Sequence, residues 1–328
     1  MGRKTQEELE HEGNVTDFEN QRRLRLANRR KGALPFETVR ELRARASEMA
    51  VPEIVCGPFQ TGTWGIIAGG PGTGKSMFVM GLAEAITLGR KFGDWTVPKA
   101  RSMVIIDAEM TPHELARRIP MCIPDERLLI CTLDLLERNG EPPFSLGNIA
   151  DQTALKDGSA GYDVVVVDNI EYTLEPKEGR DIWHPETWGQ VEPLTRWAKA
   201  ANKLLILIDH TNKDGHVQGS LAKQRGASFV MTLEPQFVEQ SALAFSSSFS
   251  KMRYQIDESL KRKRVWWLDE FGDWHCEPEE SKKNQIIDLM RQGISRKDII
   301  AETGASRSFV YKICRQNKRL LPRKGGDK

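Results

Sequence analysis

Residues 69–76 read Gly69-Gly70-Pro71-Gly72-Thr73-Gly74-Lys75-Ser76, and this stretch decides the fold class. It matches the pattern G-x-x-x-x-G-K-[ST] with two further glycines inside it. Glycine lets backbone N–H groups turn inward around a chain of phosphates, and a helix that follows points its positive end at the same charge. The apolar run GIIA before the loop predicts a strand, and FVMGLAEAI after it predicts a helix. This strand–loop–helix order favours a phosphate-binding loop over a glycine-rich turn with an exposed lysine.

The segments on either side alternate apolar runs with amphipathic stretches, which is typical of a sheet flanked by helices. Continuous β-branched or leucine runs predict parallel strands that are buried on both faces. The predicted strands are 65–68, 103–107, 127–131, 163–168 and 204–209. The predicted helices are 75–87, 111–119 with Thr111 as N-cap, and 185–201. The fold class is therefore α/β, with a mostly parallel sheet.

Composition divides the chain of 328 residues into three predicted domains. Residues 1–50 are a charged N-terminal arm, in which the stretch 20–31 has six basic residues and no acid. Residues 51–280 are the α/β core, and they end in a β-hairpin with its turn at 271–273. Residues 281–328 are short helices followed by a basic tail.

The glycine-rich loop predicts that the protein binds ATP with Mg²⁺. Lys75 should reach the β- and γ-phosphates, and Ser76 should hold the metal ion. Asp168 ends the strand 163–168, where a second magnesium residue is expected; a helix cap at the strand end is the alternative. The predicted nucleotide-binding residues are Gly69, Gly70, Pro71, Gly72, Thr73, Gly74, Lys75, Ser76 and Met77.

Two other strand ends supply candidates for catalysis. Hydrolysis needs a group beside the γ-phosphate that orients water. Glu109 is the preferred candidate; its rival Asp107 could instead satisfy loop amides, and either could serve as an acid at a helix N-terminus. His210 or Asn212, which follow the strand 204–209, could sense the γ-phosphate through a hydrogen bond. A lone histidine is more often structural, but this position at the sheet edge favours a sensor.

Two cations at the end of a late strand form a separate candidate. Lys251 and Arg253 lie one residue apart in FSSSFSKMRY, so their side chains should point to the same side. They could be directed at a phosphate in a neighbouring subunit. The alternative is an ordinary solvated strand end.

Charge predicts the kind of binding partner, and cysteine content predicts the cellular compartment. Residues 281–328 hold 13 Lys/Arg against 4 Asp/Glu, whereas the other 280 residues carry a net charge of −7. A basic tail on an acidic body predicts a polyanion partner, most often nucleic acid, although a solubilising tail is the alternative. The five scattered cysteines have no CxxC pair, which favours a reducing cytoplasm. No apolar run approaches the roughly 18 residues that cross a bilayer, so no membrane partner is expected.

Taken together, these motifs resemble the RecA-like ATPases of the RepA type, the ring-forming replicative helicases of plasmids and phages. Residues 53–253 carry the resemblance through GGPGTGKS, MVIIDAEM, DVVVVDN, LLILIDHTNK, QGS and KMR, in that order. It implies that Glu109 is the catalytic carboxylate, that His210 is the γ-phosphate sensor, and that Lys251 and Arg253 act in trans as fingers. It also implies that the loops 173–188 and 213–223 face a central channel. Family members often carry a paired histidine where this chain has Asp209 before His210.

The C-terminal segment has a pattern of its own. Helices are predicted over 282–292, over 296–302 with Ser295 as N-cap, and over 307–316 with Ser306 as N-cap, with a tight turn at Gly304. This resembles the helix-turn-helix of resolvase- and regulator-type DNA-binding domains, although such patterns also serve as protein-docking modules. The resemblance places the groove-facing residues at Ser306, Arg307, Ser308, Tyr311 and Lys312. It places phosphate contacts at Arg315, Lys318, Arg319, Arg323 and Lys324. The run KRKR at 261–264, beside Trp266 and Trp267, is a weaker candidate surface for nucleic acid, and a solvated hairpin edge with both tryptophans in the core is favoured.

The sequence therefore predicts an ATP-hydrolysing, Mg²⁺-dependent homo-oligomer, most simply a hexameric ring. Single-stranded DNA would pass through the channel, and duplex DNA would bind the helix-turn-helix. The alternative is an ATP-gated DNA-binding regulator or helicase loader that does not translocate. A small-molecule kinase has little support, because it leaves Lys251 and Arg253 unexplained.

Overall fold

The computed structural model describes residues 35–219, 221–239, 241–279 and 282–317. It divides the chain into two units, Met1–Ala50 and Val51–Lys328. The basic stretch 20–31 lies outside the described residues. In the first unit, helix α1 (Val39–Glu48) begins at Thr38, whose side chain forms a capping box with Glu41, and none of its residues is buried. The three predicted domain limits stay a prediction.

The second unit alternates strands and helices in the order that the sequence predicts. Its strands are β1 (Ile54–Cys56), β2 (Phe59–Gln60), β3 (Thr63–Gly69), β4 (Met103–Asp107), β5 (Leu128–Thr132), β6 (Val164–Asp168), β7 (Leu204–His210), β8 (Phe229–Pro235), β9 (Leu243–Met252), β10 (Arg264–Leu268) and β11 (Trp274–Pro278). Its helices are α2 (Lys75–Leu88), α3 (Pro112–Arg118), α4 (Leu133–Arg138), α5 (Ile149–Gly158), α6 (Ile170–Thr173), α7 (Pro185–Trp188), α8 (Glu192–Ala200), α9 (Leu221–Gly226), α10 (Lys282–Arg291), α11 (Arg296–Thr303) and α12 (Arg307–Gln316).

The described residues form one sheet of nine strands, in the order β11-β10-β9-β8-β3-β7-β6-β4-β5. The strands from β8 to β5 run parallel, and β9, β10 and β11 add an antiparallel extension at one side. The α/β fold class with a mostly parallel sheet is therefore confirmed. Strand β3 is the central strand of the nine and lies between the parallel strands β8 and β7. The loop that follows it therefore emerges at the carboxyl edge, where open α/β sheets bind ligands.

Both faces of the sheet are covered, which explains the continuous apolar runs. One face packs against α2 and an aromatic cluster that includes Phe78, Trp95 and Trp266. The other face packs against α5 and α8 and includes Trp64 and Trp188. All five residues of β4 and all five of β6 are buried. Alternating polar residues on these strands would place a polar side chain in a core on one face or the other.

Two predictions about local structure are wrong. The predicted helix 185–201 is two helices, α7 and α8, with a break around Gly189. Pro193 lacks an N–H and lies in the first turn of α8, so the chain restarts a helix there and does not continue one. The resemblance implies a loop over 213–223, but α9 begins inside it at Leu221.

The hairpin and the C-terminal helices form as predicted. Strands β10 and β11 pair antiparallel around the turn at 271–273. Helices α10, α11 and α12 enclose a small core of their own, and Gly304 takes the left-handed conformation with φ +57° between the last two helices. Ser295 and Ser306 cap α11 and α12 through their side chains. No helix in the described part of the chain combines the length and apolar content needed to cross a membrane.

Candidate functional site

The loop after β3 is shaped by glycines in conformations that L side chains rarely adopt. Gly72 has φ +71° and Gly74 has φ +98°. Gly74 is the N-cap of α2 and offers no side-chain cap, so the N–H groups of the first turn stay available to a ligand. A Cβ on Gly74 would lie 2.8 Å from the side chain of Leu243. Both the backbone conformation and the close approach therefore require glycine here.

Lys75 is folded back over this loop. Its Nζ donates hydrogen bonds to the carbonyl oxygens of Gly69 at 3.0 Å and Gly70 at 3.1 Å. Burial lowers its pKa, while the carboxylates of Asp168 and Glu109 oppose that shift. A triphosphate would supply the negative charge that this buried ammonium group lacks, so the lysine is suited to the role that the sequence predicts.

Asp168 is 1% exposed, and neither of its carboxylate oxygens has a hydrogen-bond partner of normal geometry within the described residues. Burial raises its pKa to about 7, and the nearby Ser76 hydroxyl acts in the opposite direction. A buried carboxylate without partners is costly unless a cation compensates it. Asp168 and Ser76 therefore fit a Mg²⁺ ion, which prefers oxygen ligands and keeps several of its waters.

The sequence left open which of Asp107 and Glu109 reaches the nucleotide and which accepts hydrogen bonds from loop amides, and the structure separates these two roles. The Asp107 Oδ1 accepts hydrogen bonds from the backbone N–H of Glu109 at 3.1 Å and of Met110 at 2.7 Å, so it satisfies loop amides. Glu109 instead lines the cleft beside the glycine-rich loop. Its Oε2 accepts a hydrogen bond from Asn169 Nδ2 at 2.8 Å. Of the two acids, Glu109 is the one that reaches the cleft.

His210 lies between the lysine and the carboxylate side of the site. Its Nδ1 is 3.5 Å from Lys75 Nζ, and its Nε2 is 3.4 Å from Asn169 Nδ2 and 3.8 Å from Glu171 Oε2. Asn169 thus contacts both Glu109 and His210. Sequence reasoning missed Asn169, and its position directly after Asp168 at a strand end was the available signal. Asn212, the alternative to His210, instead accepts backbone hydrogen bonds within its own turn.

The glycine-rich loop, Glu109 and His210 border one cleft of about 390 Å³, within the size range of small-molecule sites. Arg118, at the end of α3, and Leu243, on β9, also line it, and neither was predicted from the sequence. The lining residues are Pro71, Gly72, Gly74, Lys75, Ser76, Met77, Glu109, Arg118, His210 and Leu243. Gly69, Gly70 and Thr73 shape the loop from behind, where the Thr73 hydroxyl donates to the Gly70 carbonyl at 2.7 Å.

A sequence model described as an AAA domain matches residues 29–216, which include the glycine-rich loop, Glu109, Asp168 and His210. The chain belongs to this AAA domain family. It is accordingly an ATPase of the P-loop kind, in agreement with the strand–loop–helix geometry and the carboxylates at the sheet edge. No curated protein matches the chain.

The two predicted finger cations of this AAA protein share one side of the chain but lie away from the cleft lining. Lys251 Nζ donates to the carbonyl oxygens of Gln224 and, at 2.9 Å, of Arg225. Arg253 Nη2 also donates to the Arg225 carbonyl. Both cations therefore sit at the C-terminal end of α9, where the carbonyl groups of a helix carry partial negative charge.

The two predicted channel loops of the AAA protein contact each other. The ring of Trp183, in the loop 173–188, lies over Gly219, where an added Cβ would be 2.8 Å from it. The Lys223 Nζ lies 4.5 Å from the centre of the same ring. Ser220, the last residue of the QGS motif, lies outside the described residues.

The predicted DNA-contacting residues of the AAA protein share the exposed face of α12. Ser306, Arg307, Ser308, Tyr311 and Lys312 are all exposed, whereas Val310, Ile313 and Cys314 are buried in the three-helix core. Arg307 and Arg296 place their guanidinium groups 5.5 and 5.2 Å from the Tyr311 ring. Arg315 is exposed on the same helix. The remaining predicted phosphate contacts, Lys318, Arg319, Arg323 and Lys324, lie outside the described residues.

The run KRKR at 261–264 does not form a uniform basic surface. Lys261 pairs with Glu258, and Lys263 contacts Glu234 and Glu279. Arg264 is 2% exposed and pairs with Asp94. Of the two tryptophans expected in the core, Trp266 is fully buried, but Trp267 is on the opposite face and stacks on His275. The expectation for Trp267 is wrong, because consecutive residues of a strand point to opposite faces.

Proposed function

We propose that this AAA protein is an oligomeric ATP-hydrolysing motor that moves on DNA, of the kind found in RepA-type replicative helicases. The observation that carries the proposal is the position of Lys251 and Arg253. Both lie at the end of β9, the first antiparallel strand of the sheet, and both donate to the Arg225 carbonyl. Neither lines the cleft of its own subunit. Cations so placed suit a nucleotide held by an adjacent protomer better than the one held by their own.

The chemistry of hydrolysis would be divided among residues of one cleft. Glu109 orients the attacking water and accepts its proton, and Asn169 holds that carboxylate in place through the 2.8 Å hydrogen bond. Lys75 and the loop amides bind the phosphates, and His210 donates a hydrogen bond to the γ-phosphate. Ser76 and Asp168 would hold Mg²⁺, which would supply charge neutralisation at the phosphates.

Transition-state charge would be completed by the neighbouring protomer. Lys251 and Arg253 of one subunit approach the γ-phosphate bound by the next, which corresponds to a head-to-tail interface. Repetition of that interface closes a ring, for which six subunits is the simplest expectation from the RepA resemblance. An isolated subunit would then hydrolyse ATP poorly.

Contacts with DNA would come from two parts of the chain. The loops 173–188 and 213–223 face single-stranded DNA in the channel. The exposed face of α12 meets duplex DNA, with Arg307 and Lys312 as its basic residues. The net charge of +9 on residues 281–328 supports contact with a polyanion.

Strand displacement on a forked duplex tests this proposal. Wild-type protein with ATP and Mg²⁺ should release the labelled strand, because turnover is coupled to movement. Glu109→Gln should bind ATP and DNA but release no strand. Displacement that needs ATP but survives in Glu109→Gln would contradict the assigned chemistry.

A DNA-binding regulator gated by ATP is the second candidate. It is favoured by the separate core of the three C-terminal helices, which can recognise a duplex without any movement. In the same assay, this candidate predicts ATP-dependent binding to duplex DNA without strand release by the wild-type protein.

A further inference from the structure

Helix α9 makes polar contacts at two points. One is with Asp209, the residue before His210, and the other is with Lys251 and Arg253, the cations assigned to the site of the neighbouring subunit. We propose that α9 couples these two sites, and that Asp209 and Lys223 are the positioning residues of the coupling. This inference rests on the fingers acting in trans, as in the proposed function. It adds that the placement of the fingers depends on the strand end that carries His210.

The first attachment is a buried ion pair. Lys223 is 3% exposed and Asp209 is fully buried, and Lys223 Nζ lies 2.5 Å from Asp209 Oδ2. The ring of Trp183 covers the ammonium group at 4.5 Å, which adds a cation–π contact and keeps water away. A buried pair of this kind holds the two groups together, because separating them leaves each charge in a poorly solvating environment.

This pair is tied to the sensor through the backbone. Asp209 precedes His210, and its Oδ1 accepts the His210 backbone N–H at 2.9 Å. The His210 carbonyl oxygen accepts the Gln218 N–H at 2.9 Å, so the loop leading to α9 starts and returns at the same residue. A shift of His210 toward or away from a γ-phosphate would therefore be passed to α9 through both the loop and the ion pair.

The second attachment is near the C-terminal end of α9. Lys251 and Arg253 bind the carbonyl oxygens of Gln224 and Arg225, one and two residues beyond Lys223. Cations are favoured at a helix C-terminus, where the carbonyl groups carry partial negative charge. Because α9 is only six residues long, roughly 9 Å from end to end, a movement at Lys223 displaces these carbonyl groups directly.

The arrangement gives ring subunits a means of communication. The phosphate state sensed by His210 in one protomer sets the position of α9, and α9 sets the position of the two cations offered to the next protomer. Two buried charges occupy this place because an ion pair fixes one geometry, whereas apolar side chains of similar size could slide past each other.

The test uses Asp209→Asn combined with Lys223→Met, which removes the ion pair without leaving one buried charge alone. This variant should bind a fluorescent ATP analogue as the wild type does, because the residues of its cleft lining are unchanged. Its turnover should fall roughly 10- to 100-fold, since small misplacements of a catalytic group have effects of that size. Wild-type turnover in this variant would overturn the proposal.

Mixed assemblies separate a finger defect from damage to the variant's own site. Equimolar mixing with Glu109→Gln subunits, which bind ATP and keep their fingers, should restore turnover, whereas mixing with Arg253→Ala subunits should not. Absence of restoration by Glu109→Gln would place the defect in the variant's own cleft and would overturn the coupling. Restoration by Arg253→Ala would also overturn it, because the variant's fingers would then be competent.

Two controls keep this result distinct from general destabilisation and from failure of the proposed function. Lys203→Met removes another buried lysine, at the opposite end of β7, where Nζ donates to the carbonyl groups of Ser159 and Ala160 at 3.0 Å. It should lower stability but keep turnover. An Arg253→Ala and Glu109→Gln mixture must regain turnover if fingers act in trans; if it does not, the trans mechanism fails and the coupling falls with it.

Discussion

At the scale of single residues, the site contains buried charged groups whose burial a bound ligand would compensate. Asp168 and Lys75 are both buried at the carboxyl edge of the sheet, and burial shifts the pKa of each toward its neutral form. Neither has a described residue as its own partner in a close ion pair. The unliganded protein therefore carries a local cost that a Mg²⁺-nucleotide complex would remove.

Lys75→Ala should abolish ATP hydrolysis. The lysine is the only ammonium group lining the cleft among the described residues, and loss of such a charge-stabilising donor reduces turnover about 100-fold or more. Phosphate release at saturating ATP measures the effect. Lys91→Ala, which changes an exposed lysine beyond α2, is the matched control and should keep turnover. Near-normal turnover in Lys75→Ala would show that the loop is not the phosphate site.

Asp168→Asn should stabilise the nucleotide-free protein at high pH. The folded pKa is raised from 3.8 to about 7, so the folded state binds more protons than the unfolded state between these values. Stability is then lost as the pH rises through that window, by up to about 4 kcal/mol, and the amide avoids this loss. The melting temperature of the variant should equal that of the wild type near pH 4 and exceed it at pH 8.

Asp157→Asn, at an exposed position on α5, is the control and should follow the wild type at both pH values. If Asp168→Asn lowers the melting temperature at pH 8, the carboxylate is compensated in the free protein and the assignment of a costly metal ligand is wrong.

At the scale of elements, both the local glycines and a contact from a distant strand shape the phosphate loop. The left-handed conformations of Gly72 and Gly74 open the start of α2 toward the cleft. Leu243 on β9, a distant strand in the sequence, closes against Gly74 from the other side. The local motif defines the turn, and the antiparallel extension of the sheet defines how much space remains around it.

Gly74→Ala should weaken nucleotide binding more than Gly72→Ala. Both substitutions impose a left-handed conformation on an L residue, which costs about 1–2 kcal/mol. Of the two, only the Cβ at position 74 meets a neighbour, because no described residue lies within 4 Å of a Cβ at position 72. Titration of a fluorescent nucleotide should show a loss of roughly tenfold or more for Gly74→Ala. Equal losses in the two variants would show that the contact with Leu243 is unimportant.

At the scale of the whole molecule, the C-terminal helices differ from the rest of the chain in charge and pack around a hydrophobic cluster of their own. Residues 281–328 are basic, whereas the preceding 280 residues are acidic overall. Within the described range 282–317, the three helices pack on each other around Ile286, Val310 and Ile313. We therefore expect that the segment can be deleted while the sheet stays folded.

Deletion of residues 281–328 should remove binding to duplex DNA and leave basal ATP hydrolysis within about twofold, because no residue of the described range 282–317 lines the cleft. Affinity for a labelled duplex at two salt concentrations measures the loss. A variant that combines Arg307→Ala with Lys312→Ala in the full chain should weaken binding in the same direction and lessen its salt dependence. Unchanged duplex binding after the deletion would place the DNA-binding surface in the core.

The sequence alone determined the five parallel strands from β3 to β7, the phosphate loop and the carboxylates at the strand ends. It did not predict the sixth parallel strand, β8. These depend on local signals: continuous apolar runs for strands buried on both faces, glycines for a turn around phosphates, and capping residues at helix starts. For the same reason, the capped helices α3, α11 and α12 were predicted almost to the residue.

Tertiary structure alone decided which of these residues meet. Asn169 contacts both Glu109 and His210, Leu243 closes on Gly74, and Lys223 crosses to Asp209, and each contact joins residues on different elements. The helix α9 and the break before α8 also escaped prediction, because short elements are stabilised by what they pack against more than by their own sequence. Neighbours in space that are distant in the chain depend on the order of strands in the sheet, and no local pattern encodes that order.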